Sequence, residues 1–425
     1  MQCIPATVID VALALMRDLG PLMHQFEMKF THHLDIDRLA RALDLLFEAE
    51  PILGCRLTVS TFRAYWEPLG TTGRSCLTTV LDEEAFAAFR VQDLASSSGP
   101  QIQVGHLRTS GGDSLLIKMT HEVCDGGGLK ETAAILADLY NRLLAEPQHR
   151  PPSNSQASRG LEQIFRQLPW TAYPAIYGDL QYLRELTQVA RRTGPQPPAT
   201  KPDTGSGQVT FHLRPFSRER VVSLRALARP FGATVNDLFV TAMFRGLAQA
   251  RHTSERMCVT QAVDLRRYLP GQRAEAICNL SGPEFLTLRN AGDSFEETLR
   301  LVVALTRRRK TRYIGLSGFT GLAQLVHWLP PFLMQKGLRM GIDHVVQPSS
   351  FPSLLSNVGR ILPAATRFDA PAHSAWVLPV PLHSPVFVVC LSGHDETLML
   401  SAGTNIEAAE AASTRLDLIL RQMPA

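Results

Sequence analysis

The segment Ser114–Thr120 (SLLIKMT) has the apolar, β-branched-poor but continuous character of a buried strand, and it runs without a spacer into His121-Glu122-Val123-Cys124-Asp125-Gly126-Gly127-Gly128. From Leu129 onward, Leu129, Ala133, Leu136, Leu139, Tyr140 and Leu143 recur on one helical stripe, so the chain turns from strand to helix within a few residues. This elbow constrains the fold. The three glycines are expected to supply positive φ angles for a sharp reversal, and His121 and Asp125 to stand where strand and helix meet, a place where reactive groups are often held at a cleft.

The same rhythm recurs elsewhere. A strand pattern over Leu22–Thr31 leads through Asp35, a predicted N-cap, into a helix that buries Ile36, Leu39, Ala40, Leu43, Leu46 and Phe47. In the second half, Val209–Leu213 leads through Ser217 into a helix over Val221–Ala228, and a very apolar helix follows Asn236 and Asp237, which read as its cap. Near the end, Val386–Leu391 and Thr397–Ala402 read as a hairpin, and Asn405 as the cap of a terminal helix. Alternating strands and helices define a mixed α/β chain. Two stretches, Pro147–Gly160 and Thr193–Gly207, are rich in proline, glycine and polar residues, and the second follows a polar helical pattern over Gly178–Arg192. The predicted boundary therefore falls near residue 200, giving lobes 1–200 and 201–425.

Composition narrows the function. With 425 residues and 45% of them hydrophobic, the chain can form two cores of roughly 200 residues each. The net charge of +4 is mild and no basic block is interleaved with aromatics, which argues against nucleic acid and leaves room for a phosphate-bearing thioester or an acidic carrier protein. Seven scattered cysteines lack CxxC pairs, against a zinc site or disulfide framework and in keeping with free thiols in a reducing cytoplasm. The N-terminus has no basic n-region and carries Asp10 in its apolar stretch, unlike a secretory signal, and no stretch is long and apolar enough for a membrane span. The apolar stretch Gly321–Met334 reads as core.

A neutral imidazole can take a proton from an attacking hydroxyl or amine because its ordinary pKa of about 6.5 lies near the working pH. His121 is the candidate base. Asp125 would order the loop by pairing with an arginine and accepting backbone N–H bonds. The His121-Glu122 pair would begin a zinc-binding HExxH, but position 125 holds an aspartate, so metal-dependent hydrolysis is disfavoured. Cys124 reads as a buried or lining thiol rather than a nucleophile. Ser356 and Asn357 are candidates for lining the cleft and donating to an oxyanion, or for a turn with Gly359 at positive φ. Arg266 and Arg267 read first as members of ordinary structural ion pairs, with phosphate binding or a bridge to an acidic loop as the functional alternatives. The run Arg307–Arg312 reads as a solvated helix end, with contact to a carrier protein or to the nucleotide of coenzyme A as the alternative.

The segment THEVCDG resembles the HxxxDG motif of the chloramphenicol-acetyltransferase-like superfamily, which includes condensation domains of peptide synthetases, alcohol acyltransferases, polyketide-associated acyltransferases and plant acyltransferases. Weaker similarities follow in the family's order: FEMKFTHHLDIDRLARALDLLFEAEPILGCRL, ATVNDLF, VDLRRYL and Ser356-Asn357-Val358-Gly359. The resemblance implies two similar lobes forming a V-shaped pseudo-dimer, with the site at their interface and a tunnel entered from both faces. It implies that His121 is the active histidine, Asp125 the structural aspartate, Arg56 its salt-bridge partner, and Gly126, Gly127, Ser356 and Asn357 substrate neighbours. Acyl-CoA or a phosphopantetheine thioester would be the co-substrate, with no permanently bound cofactor or metal. The partners would be a small acceptor bearing a hydroxyl or amine and an acyl or peptidyl carrier protein, for a cytoplasmic monomer in lipid or secondary-metabolite biosynthesis. Thr120 stands where peptide-forming condensation domains carry a first histidine, and the DFGWG of the plant enzymes is absent. Both departures favour a stand-alone ester- or amide-forming acyltransferase. The alternative is a non-catalytic carrier-binding module.

Overall fold

The computed structural model describes residues 3–178, 208–251, 257–326, 329–345, 353–384 and 386–424. The predicted lobe boundary near residue 200, the linker 193–207 and nearly all of the polar helical pattern before it lie outside these residues. Two large sheets carry the chain. The first has five strands in the order Ser374–Leu378, Met23–Lys29, Gly112–Thr120, Ile102–Thr109 and Leu77–Val80, antiparallel except for its last pair. The second has six, in the order Ser281–Leu288, Met257–Asp264, Leu354–Ile361, Val388–His394, Thr397–Asn405 and Val209–Phe216, with the Leu354–Ile361 strand parallel to both neighbours. A division of the chain into two halves is therefore incomplete: the first sheet takes its edge strand, Ser374–Leu378, from the second half, paired with Met23–Lys29. Ala375 and Val377 of that strand account for part of the exchange, because they pack into the core of the first sheet.

The elbow strand, Gly112–Thr120, is central, and each of its residues is buried. This explains its unbroken apolar run, since both faces are covered. Leu115, Ile117 and Met119 join the core beneath the helices Ile36–Ala49 and Gly126–Ala145, while Leu116 meets Phe86 and Phe89 of the helix Glu83–Val91 on the opposite face. Lys118 faces the same way as Leu116. Its ammonium donates to the carbonyls of Phe89 (2.7 Å) and Gln92 (2.9 Å) and lies over the Phe89 ring, and burial pulls its pKa down to about 8. A cation at the end of a helix thus satisfies carbonyls that the helix leaves unpaired.

Local capping follows the predicted residues in part. Asp35 and Ser217 accept the N–H groups of Arg38 (3.0 Å) and Arg220 (3.3 Å) and cap their helices. Asp237 instead sits three residues into the capping box of Thr234, and Asn236 turns to Asn357. Asn405 precedes a short 3-10 turn and holds the Ser384 N–H (2.9 Å), so it does not cap the terminal helix, Ala409–Arg421, with its side chain. In the stretch predicted as core, Gly321, Ala323 and Met334 are buried, whereas Leu325, Phe332 and Leu333 face outward from two surface helices and Leu329 is exposed between them. No helix among the described residues is long and apolar enough to cross a membrane.

A third core joins residues of the two halves of the chain. Val8, Val11 and Ala12 of the helix Val8–Leu15 pack there with Ile164 and Phe165, and with Leu265, Cys278 and Leu280 of the second half.

At the opposite end of the elbow strand, Asp113 ties the sheet to the loop before the Ile36–Ala49 helix. It accepts from Leu34 N (2.8 Å), His106 (2.8 Å), His33 (2.9 Å) and Arg108 (3.1 Å). Burial would raise its pKa, but the Arg108 guanidinium, the Leu34 N–H and the two imidazoles hold it below the carboxylate range. A carboxylate depressed in the folded state stabilises above its unfolded pKa of about 3.9 and loses that contribution as pH falls through the folded value. Asp113→Asn is expected to lower stability by about 2 kcal/mol at neutral pH. In urea titrations the gap from the parent protein should narrow below about pH 4.

Candidate active site

The turn of the elbow is made by residues His121, Glu122 and Val123, not by the glycines. Its helix begins at Gly126, directly after Asp125, and Gly126, Gly127 and Gly128 have no positive φ, contrary to the expected reversal. They are glycines because neighbours come too close for a side chain. A Cβ on Gly126 would stand 2.7 Å from Val358 Cγ1, one on Gly127 2.5 Å from an Arg266 guanidinium nitrogen, and one on Gly128 2.7 Å from Cys124 Cβ. The first helical turn is thereby free to press against the second half of the chain.

What presses on it is a buried ion pair. Asp125 accepts from Arg266 at 2.9 Å and 3.0 Å, from Gly128 N at 2.8 Å and from Leu280 N at 2.7 Å. Burial opposes ionisation of Asp125, but the Arg266 charge and these N–H donors outweigh it and hold the pKa below its ordinary value. Arg266 donates further to Glu131 (3.1 Å) and to the carbonyl of Cys278 (3.0 Å). The partner implied by resemblance, Arg56, is elsewhere: it lies on an outer strand of a separate three-stranded sheet and pairs with Glu67 opposite it. Of the roles weighed for Arg266, the structural ion pair is the one its geometry meets.

The segment Ala276–Leu280 then acts as a template along the elbow. Asn279 donates from one amide nitrogen to the carbonyls of His121 (2.8 Å) and Glu122 (2.9 Å). Arg159, buried at the end of the predicted linker Pro147–Gly160, donates to the carbonyls of Ile277 (2.9 Å) and Val123 (2.9 Å) and to Asp10 (2.8 Å). Asp10 also accepts from Trp66. Glu122 is buried and accepts from Ser96 (2.7 Å) and Arg17 (3.2 Å). Every carbonyl from His121 to Cys124 is therefore held by a donor, the last one by the histidine itself.

His121 Nδ1 lies 3.0 Å from the Cys124 carbonyl. A carbonyl oxygen has no proton to give, so Nδ1 carries the hydrogen and Nε2 of the neutral ring keeps a free lone pair. The ring of His24 stands 5.0 Å away, centroid to centroid, with its Nε2 3.4 Å from Cys124 Sγ. Burial, and then the neighbouring His121, push the His24 pKa down to about 3, so His24 is a neutral wall beside His121. Burial also raises the Cys124 thiol well above its ordinary pKa, which opposes a thiolate nucleophile.

His121, His24, Asp125, Gly126, Asn279 and Ser356 line one cavity of about 320 Å³ between the two sheets. Asn357, one residue from Ser356, is outside it: its amide donates to Asn236 (3.0 Å) and its oxygen accepts from Gly359 N (2.9 Å) at a bulge where Gly359 takes φ +69°. Gly127 packs on Arg266 instead of the cavity. In the basic run, Arg309 is buried beside Glu284 and Ser317, while Arg307 and Arg308 end the helix Phe295–Lys310. Sequence reasoning missed His24, Arg159 and Asn279; a histidine inside the apolar strand Met23–Lys29 was the one local signal.

The arrangement of the two large sheets is the fold of condensation domains and of a trichothecene acetyltransferase. Similar solved structures include the trichothecene 15-O-acetyltransferase of Fusarium sporotrichioides, at 12% identity and TM-score 0.70 over 99% of this chain and 94% of that one. The first condensation domain of the calcium-dependent antibiotic synthetase, bound to a substrate analogue, matches at 16% identity and TM-score 0.69 over 99% and 95%. Polyketide synthase associated protein 5 of Mycobacterium tuberculosis matches at 15% identity and TM-score 0.66 over 98% of both chains. No family model and no curated protein matches the chain.

Removing one partner of a buried ion pair strands the other, a loss of about 3–5 kcal/mol, whereas an exposed pair contributes about 0–1 kcal/mol. Arg266→Ala should therefore lower unfolding free energy by about 3–5 kcal/mol in urea, and Arg56→Ala by less than about 1 kcal/mol. Equal effects of the two substitutions would contradict the assignment of Arg266.

Proposed function

We propose that the protein is an acyltransferase that moves an acyl group from a thioester, carried by coenzyme A or by the phosphopantetheine of a carrier protein, to a hydroxyl or amine acceptor. The observation that carries this reading is the 3.0 Å contact of His121 Nδ1 with the Cys124 carbonyl: it commits Nδ1–H to that oxygen, so that Nε2 of the neutral ring would hold the lone pair on a residue that lines the cavity. Nε2 takes the acceptor proton as the acceptor's oxygen or nitrogen attacks the thioester carbonyl. The tetrahedral intermediate then collapses, the carbon–sulfur bond breaks, and the departing sulfur takes the proton back from His121. Ester or amide and free thiol are the products, and no acyl-enzyme forms.

Asp125 serves this chemistry as a positioning residue. Its oxygens are filled by Arg266 and backbone N–H groups, so it has no role in relaying a proton from His121. Ser356 lines the cavity with Thr260 and Ser281 and is a hydroxyl suited to donate to the oxyanion, whereas Asn357 is committed to Asn236 and Gly359. A cytoplasmic place in lipid or secondary-metabolite biosynthesis, with a carrier protein as partner, fits the same reading.

Loss of a general base lowers rate by about two to four orders of magnitude. His121→Ala should reduce kcat/KM by that amount, read as free thiol released from acyl-CoA or acyl-carrier thioesters with the product identified by mass spectrometry. Cys124→Ala, which removes a buried thiol, should stay within about tenfold of the parent, since only a nucleophile's loss would rival that of the base. Equal collapse of both variants, with folding intact, would favour a covalent mechanism. A parent protein that binds carrier proteins yet consumes no thioester would be a binding module.

A further inference from the structure

Apart from the two imidazoles and Asp125, the polar side chains on the cavity wall are uncharged: the hydroxyls of Thr260, Ser281 and Ser356 and the amide of Asn279. Most of the remaining wall is apolar, and within it Leu13, Met16, Leu22, Val380, Leu382 and Val388 pack against one another as a single cluster. Asp125 is the one lining side chain, among the described residues, that is an acid, and none is a lysine or arginine. The Asp125 carboxylate is already neutralised by Arg266 and two N–H groups. The second imidazole on the wall, His24, is kept uncharged by burial.

Such a lumen discriminates by polarity. An α-ammonium or a free carboxylate entering it would lose its water and find no opposite charge, whereas a hydrocarbon chain would lose only unfavourable hydration. A volume of about 320 Å³ is at the small end of ligand sites, enough for one chain and not for a bulky polycyclic group. We propose that this cavity takes an unfunctionalised aliphatic chain borne by one of the two reactants, the acyl chain of the thioester or the alkyl chain of the acceptor, and rejects aminoacyl and carboxylated groups. The proposal rests on the reading of His121 as the base only for its placement of the reacting carbon; the selectivity for a chain follows from the wall alone.

Each methylene moved from water into an apolar wall changes an equilibrium or specificity constant by about fourfold. Acetyl-, octanoyl- and alanyl-CoA are compared as donors, and ethanol and octanol as acceptors, by kcat/KM with the full chain. Octanoyl over acetyl, or octanol over ethanol, should gain at least about tenfold, and whichever series responds identifies the reactant that carries the chain. Alanyl-CoA should fall below acetyl-CoA. Met16→Trp, at the end of the first helix where the side chain is half-buried, should cut the long-to-short ratio by at least about tenfold; Val380→Phe is the milder variant if Met16→Trp does not fold.

Binding is measured separately with octyl- and ethyl-CoA thioethers, which have no carbonyl to react, and with octanol and ethanol. Tighter octyl binding without any transfer overturns the acyltransferase reading and leaves the chain site standing. Transfer with flat chain-length profiles in both series, or with alanyl favoured over octanoyl, overturns the chain site.

Discussion

The seam between the two halves depends on one buried carboxylate. Asp125 is reached from one side by its own helix through Gly128 N and from the other by Arg266 and Leu280, residues 141 and 155 positions away. The net worth of such a pair is small, because both charges surrender their hydration. Its value is geometric: neither half can shift by an ångström without stranding a charge. The position of His121, four residues earlier, is fixed by that pair through the intervening loop, whose carbonyls are held by Asn279 and Arg159.

The three glycines belong to the same arrangement. A guanidinium that must touch Asp125 end-on has to pass the first helical turn, and a methyl group on Gly127 would occupy the place of Arg266 Nη1. Glycine costs helix stability, roughly 0.5–1 kcal/mol relative to alanine at each interior position. The first turn is where that cost is smallest, because its N–H groups are unpaired within the helix anyway and one of them goes to Asp125.

The elbow itself and the helices with clear stripes were legible in the sequence because their causes are local: periodicity, an N-cap three residues from its partner, and a strand covered on both faces. The seam was not. Arg266 carries no local mark that distinguishes it from Arg267, which lies over Tyr268, or from Arg56, which pairs with Glu67 across a hairpin. Asn279 meets the His121 carbonyl across 158 residues, and Arg159 meets Asp10 across 149. Ser374–Leu378 does not read as a strand, and nothing in its composition announces that it pairs with Met23–Lys29. The glycines were legible as a constraint but misread in kind, since close approach and positive φ both demand glycine and only the surroundings tell them apart.

Thr120 shows why one imidazole suffices at this seam. The residue before the candidate base is turned into the sheet, where its hydroxyl donates to Gln101 (2.6 Å), and the Gln101 amide in turn holds the carbonyls of Cys55 (2.7 Å) and Ser96 (3.0 Å). A titratable side chain there would have to break this network or be buried charged. His24, the second imidazole near His121, comes from the neighbouring strand and is held neutral in the apolar wall. In the proposed reaction a protonated His24 would set a like charge beside the proton that His121 accepts during attack, and would oppose it strongly in a site with little water. A neutral His24 would then leave His121 as the single group whose charge changes, with a lumen behind it that presents no competing acid or base.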